Sequence, residues 1–117
     1  MQTTEKLYEL SMIEAISGGD TEFVNTMLHL FIETMPQSMH DLKQHTLAGE
    51  WEMMGKTAHK MKSTIDSMGI VSLKQDIRTL EMNGKQQLDL ENIPAMVDHV
   101  ISVLDQTILQ LKKDFDL

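Results

Sequence analysis

Apolar residues recur along the chain at intervals of three and four positions, which is the spacing of amphipathic α-helices rather than of strands. The stripe of the longest predicted helix comprises Phe23, Val24, Met27, Leu28, Phe31, Met35, Met39 and Leu42. Three further stripes with this spacing lie within residues 54–68, 73–80 and 93–115. The pattern therefore predicts four long helices, each with one apolar face.

Glycine, proline and capping residues mark the ends of the first two helices. Ser11, with Glu14 three positions later, is a candidate capping box for a short first helix that ends at the glycine pair 18–19. Asp20 is predicted to cap the second helix. Pro36 lies inside this helix and should either kink it or split it into two abutting helices.

Three more helices are predicted after the second one. The third covers about residues 51–67 and ends at Gly69, the fourth covers about residues 70–82 and ends at Gly84, and the last starts near residues 89–92. Short connections make successive helices antiparallel neighbours. The predicted fold is all-α, an antiparallel up-down-up-down four-helix bundle with a short extra helix at its N-terminal end.

The composition is that of a globular protein with one hydrophobic core. The chain has 117 residues, of which 41% are hydrophobic and 24% charged, so residues 1–117 are interpreted as one domain. Because the sequence lacks cysteine, disulfides, thiolate metal sites and cysteine nucleophiles are excluded. The net charge of −8 argues against partners rich in phosphate, namely nucleic acid and anionic membranes.

The sequence also gives expectations for the location and the oligomeric state of the protein. No apolar run is long enough to cross a bilayer, and the N-terminus does not resemble a secretion signal. The expected location is therefore the cytoplasm. Because one chain supplies a complete bundle, a monomer is expected.

Histidines are the residues most able to perform chemistry near neutral pH. None of the five follows a glutamate by three positions, and no HExxH pattern is present, so little supports a metal centre within the bundle. His29 and Glu33 lie one turn apart and could supply two ligands, but such pairs are more often surface contacts. His40, His45 and His99 have no obvious partners in the sequence.

His59 differs from the other histidines in its surroundings. Its neighbours Ala58 and Met61 belong to the inward stripe, which places His59 at the edge of the bundle, facing water. The residues one turn away on its own face, Gly55 and Ser63, are small. Small neighbours would let the surface of another protein approach the imidazole, although a loosely placed surface histidine beside a tolerated glycine is the simpler alternative.

Positive charge is concentrated around His59 although the chain is acidic overall. Lys56, Lys60 and Lys62 lie on the same helix within three positions of it. Nearby cations disfavour a protonated imidazole and therefore favour the neutral, nucleophilic form. They would also stabilise a dianionic group bound to the ring.

The predicted helix hairpin around Gly69 brings further groups to the level of His59. His59 lies ten residues before this turn, whereas Arg78 lies nine and Glu81 twelve residues after it. A carboxylate at that level could accept a proton from the second ring nitrogen and fix the tautomer of the imidazole.

The segment AHKMKSTIDSMG resembles the signature of histidine-containing phosphotransfer (HPt) domains, commonly A-H-x-L-K-G-x-[SA]-x-x-[LM]-G. The matching positions are Ala58, His59, Met61 in place of the usual leucine, Lys62, Met68 and Gly69. The similarity extends over most of the chain, through SGGDTEFVNTMLHLFIETMP, GEWEMMGKTAHK and GIVSLKQDIRTLE.

This resemblance implies roles for individual residues. His59 would accept and donate a phosphoryl group through Nε2, and Lys62 would lie beside that group and offset its charge. Glu81 would occupy the place of the polar residue that often bonds the imidazole, and Gly69 would allow close packing. Ser63 replaces the usual glycine after the lysine, and its hydroxyl could bond a phosphate oxygen.

The implied function is that of a phosphorelay intermediate without kinase activity of its own. Receiver domains of response regulators and hybrid histidine kinases would dock on a surface that includes Ile13, Ile16, Gly55 and the lysines around His59. The chain contains no nucleotide-binding or kinase motif. No cofactor is expected in this chain, because Mg²⁺ would come with the receiver domain.

Two other functions are compatible with the sequence. The dimerising helix pair of a sensor histidine kinase usually has an acidic residue directly after the histidine and a proline a few positions later, whereas Lys60 follows here and no proline is near. The second is a helical scaffold or inhibitory module that binds receiver domains without transferring phosphate. Binding without an acid-labile phosphoprotein would favour this scaffold.

Overall fold

The computed structural model describes residues 6–117 of the chain. Within this range the regular elements are all helices, and there is no strand. The helices are α1 (Ser11–Ser17), α2 (Thr21–Leu47), α3 (Trp51–Ser67), α4 (Val71–Gln86) and α5 (Ile93–Asp114), with a 3₁₀ turn (Leu90–Asn92) before α5. The predicted all-α class is confirmed.

Each of the four long helices packs against two others. Helices α2 and α4 both contact α3 and α5, so the four elements surround one core, and α1 packs on α2. Only residues 48–50 and 68–70 separate α2 from α3 and α3 from α4, which makes these neighbours antiparallel. The predicted four-helix bundle with a short additional helix at its start is confirmed.

The apolar stripes predicted from the sequence meet in this core. On α3 and α4, every residue of the stripes is buried: Met54, Ala58, Met61, Ile65, Leu73, Ile77 and Leu80. The stripe of α2 is buried from Leu28 onward, but Phe23, the first residue of the predicted stripe, is 38% exposed. The reason is that Phe23 lies in the first turn of α2, at the end of the bundle.

The start of α2 confirms the predicted cap. The carboxylate of Asp20 accepts hydrogen bonds from the backbone N–H groups of Glu22 and Phe23, at 3.0 and 3.2 Å. These bonds satisfy two of the amide groups that have no partner within the first turn of a helix.

Loss of this cap should be measurable in chemical denaturation. We expect Asp20→Ala to lower the free energy of unfolding by about 1 kcal/mol, because the two amide groups lose their acceptor. Asp20→Asn keeps an acceptor oxygen and should lose less than about 0.5 kcal/mol. Equal losses in the two variants, determined from urea unfolding curves, would show that the side-chain cap is not what stabilises this helix end.

Two of the predicted helix boundaries are wrong. Ser11 does not cap α1 but is its first residue, and its backbone N–H and hydroxyl both donate to the Glu9 carboxylate. Helix α4 continues through Gly84 and ends at Gln86, before Gln87, which has a positive φ of 53°.

Pro36 was predicted either to kink α2 or to split it into two helices, and the split does not occur, because α2 runs through Pro36 as one helix. Pro36 is exposed, so the carbonyl that loses its intrahelical donor can bind water. The kink stays a prediction.

Gly69 performs two tasks at the turn between α3 and α4. Its positive φ of 63° ends α3, as predicted. The segment before α1 crosses the same point, where the backbone N–H of Glu9 donates to the carbonyl of Met68 at 3.0 Å. A Cβ at Gly69 would lie 2.2 Å from the carbonyl oxygen of Glu9, so a side chain there would displace the crossing segment.

Candidate functional site

His59 lies on the outer face of α3, between buried positions that anchor the helix. Its neighbours Ala58 and Met61 are buried in the core, whereas the side chain of His59 is 57% exposed. The imidazole therefore faces solvent, as the spacing of the stripe predicts.

The neighbouring helix supplies a carboxylate to this imidazole. Nδ1 of His59 lies 2.5 Å from Oε2 of Glu81 on α4. Arg78, which the hairpin geometry also brought near this level, instead donates to Asp66, with Nη1 at 3.1 Å and Nη2 at 2.6 Å from the two carboxylate oxygens. Of the two groups predicted opposite His59, Glu81 is in hydrogen-bonding contact with the imidazole, whereas Arg78 pairs with Asp66, about two turns after His59 on α3.

Glu81 is the centre of a small ionic cluster. Its side chain is 13% exposed and accepts hydrogen bonds from Lys62 at 2.9 Å and from Lys85 at 3.1 Å, in addition to the imidazole. The hydrogen bond from Lys62, assisted by those from His59 and Lys85, lowers the pKa of Glu81 to about 2 and outweighs the opposing effect of its partial burial.

An ionised Glu81 determines which nitrogen of His59 carries the proton. A carboxylate can only accept hydrogen bonds, so Nδ1 must be the donor in this contact. In a neutral ring the lone pair then belongs to Nε2. Nε2 makes no hydrogen bond with any residue in the described range, and the ring is exposed. The site therefore presents a nucleophilic nitrogen to solvent.

The three lysines predicted around His59 have different environments. Lys62 is partly buried against Glu81, and Lys56 is exposed and pairs with Glu52 at 3.8 Å. Lys60 is exposed and forms no ion pair with residues 6–117. Ser63 is also exposed, and its hydroxyl has no hydrogen-bond partner in the same range.

The interpretation of Gly55 as an opening for a partner protein is wrong, because Gly55 is buried against α4. A Cβ at this position would lie 3.1 Å from the carbonyl oxygen of Glu81 and from the backbone nitrogen of Lys85. On the facing helix, a Cβ at Gly84 would lie 2.8 Å from Cα of Gly55. The two glycines let the backbones of α3 and α4 approach closely at the level where Glu81 meets His59.

The proposed docking role of Ile13 is also contradicted. Ile13 is 2% exposed because it is the position of α1 that faces the bundle, whereas Met12 and Ile16, which are four residues apart and share a neighbouring face of α1, are 51% and 68% exposed. Met12 lines a shallow cavity of about 200 Å³ together with Asp66 of α3. The i, i+4 spacing of Met12 and Ile16 could have identified this exposed face.

Lys85 was missed in the sequence, although a signal for it exists. It lies four residues after Glu81, a spacing that places the two side chains on one face of a helix. This pair becomes part of the site only because the α3–α4 hairpin brings the carboxylate of Glu81 to His59.

The remaining histidines are surface residues, and two of them have partners that the sequence did not suggest. His45 Nδ1 lies 2.8 Å from Glu50, and His99 Nε2 lies 3.6 Å from Asp76. Across residues 6–117, no three histidine or carboxylate side chains converge in a way that could hold a metal ion.

The ionic cluster at Glu81 should make the free energy of unfolding depend on pH in the acidic range. Because the pKa of Glu81 is lowered from its ordinary value of 4.5 to about 2, its contribution is complete above pH 4.5 and is lost as the pH falls toward 2. Screening by solvent reduces this contribution to about 1–2 kcal/mol. The free energy of unfolding of wild-type protein minus that of Glu81→Gln should therefore shrink by this amount between pH 5 and 2, and a pH-independent difference would contradict the assignment.

A comparison with family models defines the class to which this fold and site belong. The model of the Hpt domain matches residues 26–114, which includes α3 with His59 and α4 with Glu81. The chain therefore belongs to the Hpt domain family. Hpt domains are intermediates of histidine phosphotransfer in phosphorelays, where they act with receiver domains and are not kinases.

The other comparisons add nothing to this assignment. Neither the curated proteins nor the solved structures gave a significant match. Among residues 6–117, no helix has the combination of length and apolarity needed to cross a membrane.

Proposed function

We propose that this chain is a phosphorelay intermediate that accepts a phosphoryl group on Nε2 of His59 and passes it to another receiver domain. The donor would be the phosphoaspartate of a receiver in a response regulator or a hybrid histidine kinase. The observation that carries this proposal is the exposed imidazole whose Nδ1 proton is held by Glu81, so that the lone pair of Nε2 points away from the protein.

The proposed transfer needs no proton to leave the site. The lone pair of Nε2 attacks the phosphorus atom, a P–N bond forms, and the P–O bond to the aspartate breaks with its electron pair returned to that carboxylate. The positive charge that develops on the ring is stabilised by Glu81, which keeps the Nδ1 proton in its hydrogen bond. In the return step a carboxylate oxygen of the second aspartate attacks the phosphorus atom, a P–O bond forms, and the P–N bond breaks with its electron pair returned to Nε2.

The partner surface is proposed from the exposed groups beside the imidazole. Met12 and Ile16 of α1 offer apolar contacts, and Lys56, Lys60 and Ser63 of α3 are exposed near His59. A local excess of lysines on a chain of net charge −8 complements the anionic phosphoaspartate site of a receiver. Mg²⁺ is proposed to enter with that receiver, and the working form is proposed to be a cytoplasmic monomer.

The proposal is tested by incubating the protein with a receiver domain carrying a labelled phosphoaspartate. We expect the label to appear on this chain as an acid-labile, base-stable phosphoramidate, to map to the peptide that contains His59, and to leave when a second, unphosphorylated receiver is added. A stable complex that forms without any label transfer would instead establish the alternative function, a helical module that binds receivers without exchanging phosphate.

A further inference from the structure

The carboxylate of Glu81 is held by two lysines, although one would neutralise it. Lys62 of α3 donates to Oε1 at 2.9 Å, and Lys85 of α4 donates at 3.1 Å to Oε2, the oxygen that also accepts from His59. Both oxygens of this partly buried group are therefore bound to cations before any phosphoryl group arrives.

In the phosphorylated state, Lys62 would have two anions to neutralise, Glu81 and the phosphoryl group. A phosphoryl group on Nε2 is a dianion that needs a cation, and Lys62 is the lysine three positions after His59, on an adjacent part of the same helix face. Lys62 can serve this anion only by loosening its bond to Glu81. A carboxylate whose side chain is only 13% exposed would then be left without its strongest partner, which is unfavourable.

We propose that Lys85 is a positioning residue that keeps Glu81 charge-balanced while Lys62 moves from Glu81 to the phosphoryl group on His59; this rests on the proposed phosphotransfer function. Lys85 thereby acts through Glu81 and Lys62 and makes no contact with the phosphoryl group. The hydrogen bond between Glu81 and Nδ1 persists in both states of the site.

The surroundings make Lys85 suited to this task. The backbone of Lys85 packs closely against Gly55 of α3: a Cβ at Gly55 would lie 3.1 Å from the backbone nitrogen of Lys85. This close contact of α3 and α4 fixes the position from which the Lys85 side chain extends. Of the other nearby cations, Arg78 binds both oxygens of Asp66 and Lys56 pairs with Glu52 on its own helix. Lys60 has no ion pair among residues 6–117, but it directly follows His59 in the sequence and therefore lies on a different face of α3.

The experiment loads the protein chemically, so that docking of a receiver plays no part. Wild-type, Lys85→Gln and Lys43→Gln proteins are phosphorylated with phosphoramidate, a small donor that releases ammonia, and the decay of the P–N signal of His59 is followed by ³¹P NMR at neutral pH. Lys43 is the matched control, since its partly exposed side chain also pairs with a carboxylate, that of Asp98, on helices that carry no residue of the site.

We expect the phosphohistidine of Lys85→Gln to decay about threefold to tenfold faster than that of wild-type protein, the scale of one partly exposed charge-assisted hydrogen bond. Lys43→Gln and the charge-conserving Lys85→Arg should decay like the wild type. In a Glu81→Gln background the effect of Lys85→Gln should vanish, because a neutral amide needs no counter-ion. A merely structural role of Lys85 would not produce this dependence on the charge of residue 81.

The outcomes separate the two proposals. Wild-type protein that accepts no phosphoryl group from phosphoramidate or from a phosphorylated receiver would overturn the proposed function and the role of Lys85 together. Wild-type protein that is loaded on His59, with equal decay in Lys85→Gln and Lys43→Gln, would overturn the role of Lys85 alone.

Discussion

Replacing His59 with glutamine is expected to reduce phosphoryl transfer by more than about a thousandfold, the scale on which loss of a nucleophile acts. The amide nitrogen of glutamine has no lone pair available for attack on phosphorus, whereas its N–H can still donate to Glu81. Because the His59 side chain is 57% exposed, the substitution should change the free energy of unfolding by no more than about 0.5 kcal/mol. The protein should therefore fold and still bind a receiver domain.

Two other histidines provide matched controls for this measurement. His45 and His99 are surface residues that also lie beside a carboxylate, at 2.8 and 3.6 Å. We expect His45→Gln and His99→Gln to accept label from a phosphorylated receiver at the wild-type rate. Undiminished transfer to His59→Gln, with thermal unfolding showing that it is folded, would show that another residue is the acceptor.

The parts of the fold that could be predicted from sequence are those in which local and tertiary signals agree. Helix α3 was predicted over the residues that it occupies, because its apolar spacing, its length and the glycine at 69 all indicate the same element. The same agreement holds for the cap at Asp20. The bundle follows from the number of stripes and the short loops, since each stripe must be buried against another.

The structure at Pro36 and Gly84 depends on surroundings that the local sequence does not contain: α2 is not split at Pro36, and α4 does not end at Gly84. A proline ends a helix when the freed carbonyl has no alternative partner, but the outer face of α2 is open to water. Gly84 lies inside α4 rather than at its end, at a position where the facing backbone of α3 leaves no room for a side chain. Both outcomes depend on which face of the helix meets a neighbour.

In the candidate site, too, some features follow from the local sequence and others depend on how the helices pack. The exposure of His59 and the approach of Glu81 follow from helical spacing and from equal distances to a turn, which are simple geometry. The burial of Ile13 and Gly55 does not, because a short helix and a small residue carry too little pattern to show which side faces the core. Lys85 was missed because its partner Glu81 gains a role only from the opposite helix.

The close contact of α3 and α4 gives the second large prediction. We expect Gly84→Ala to lower the free energy of unfolding by about 2–3 kcal/mol, since overpacking outweighs the roughly 1 kcal/mol by which alanine favours a helix over glycine. The added Cβ would lie 2.6 Å from the carbonyl oxygen of Trp51 and 2.8 Å from Cα of Gly55. Both are backbone atoms, so no change of rotamer can relieve the contact and the helices must separate.

This separation should reach the site, because Gly84 lies three residues after Glu81 and Gly55 four residues before His59. In Gly84→Ala the proton on Nδ1 of His59 should lose its hydrogen bond, which ¹⁵N NMR of the ring reports directly. Gly55→Ala is the graded control, as its nearest contacts of 3.1 Å require a smaller shift and therefore a smaller loss of stability. If Gly84→Ala unfolded at the wild-type urea concentration with an unchanged imidazole spectrum, the spacing of α3 and α4 would have to be set elsewhere in the core.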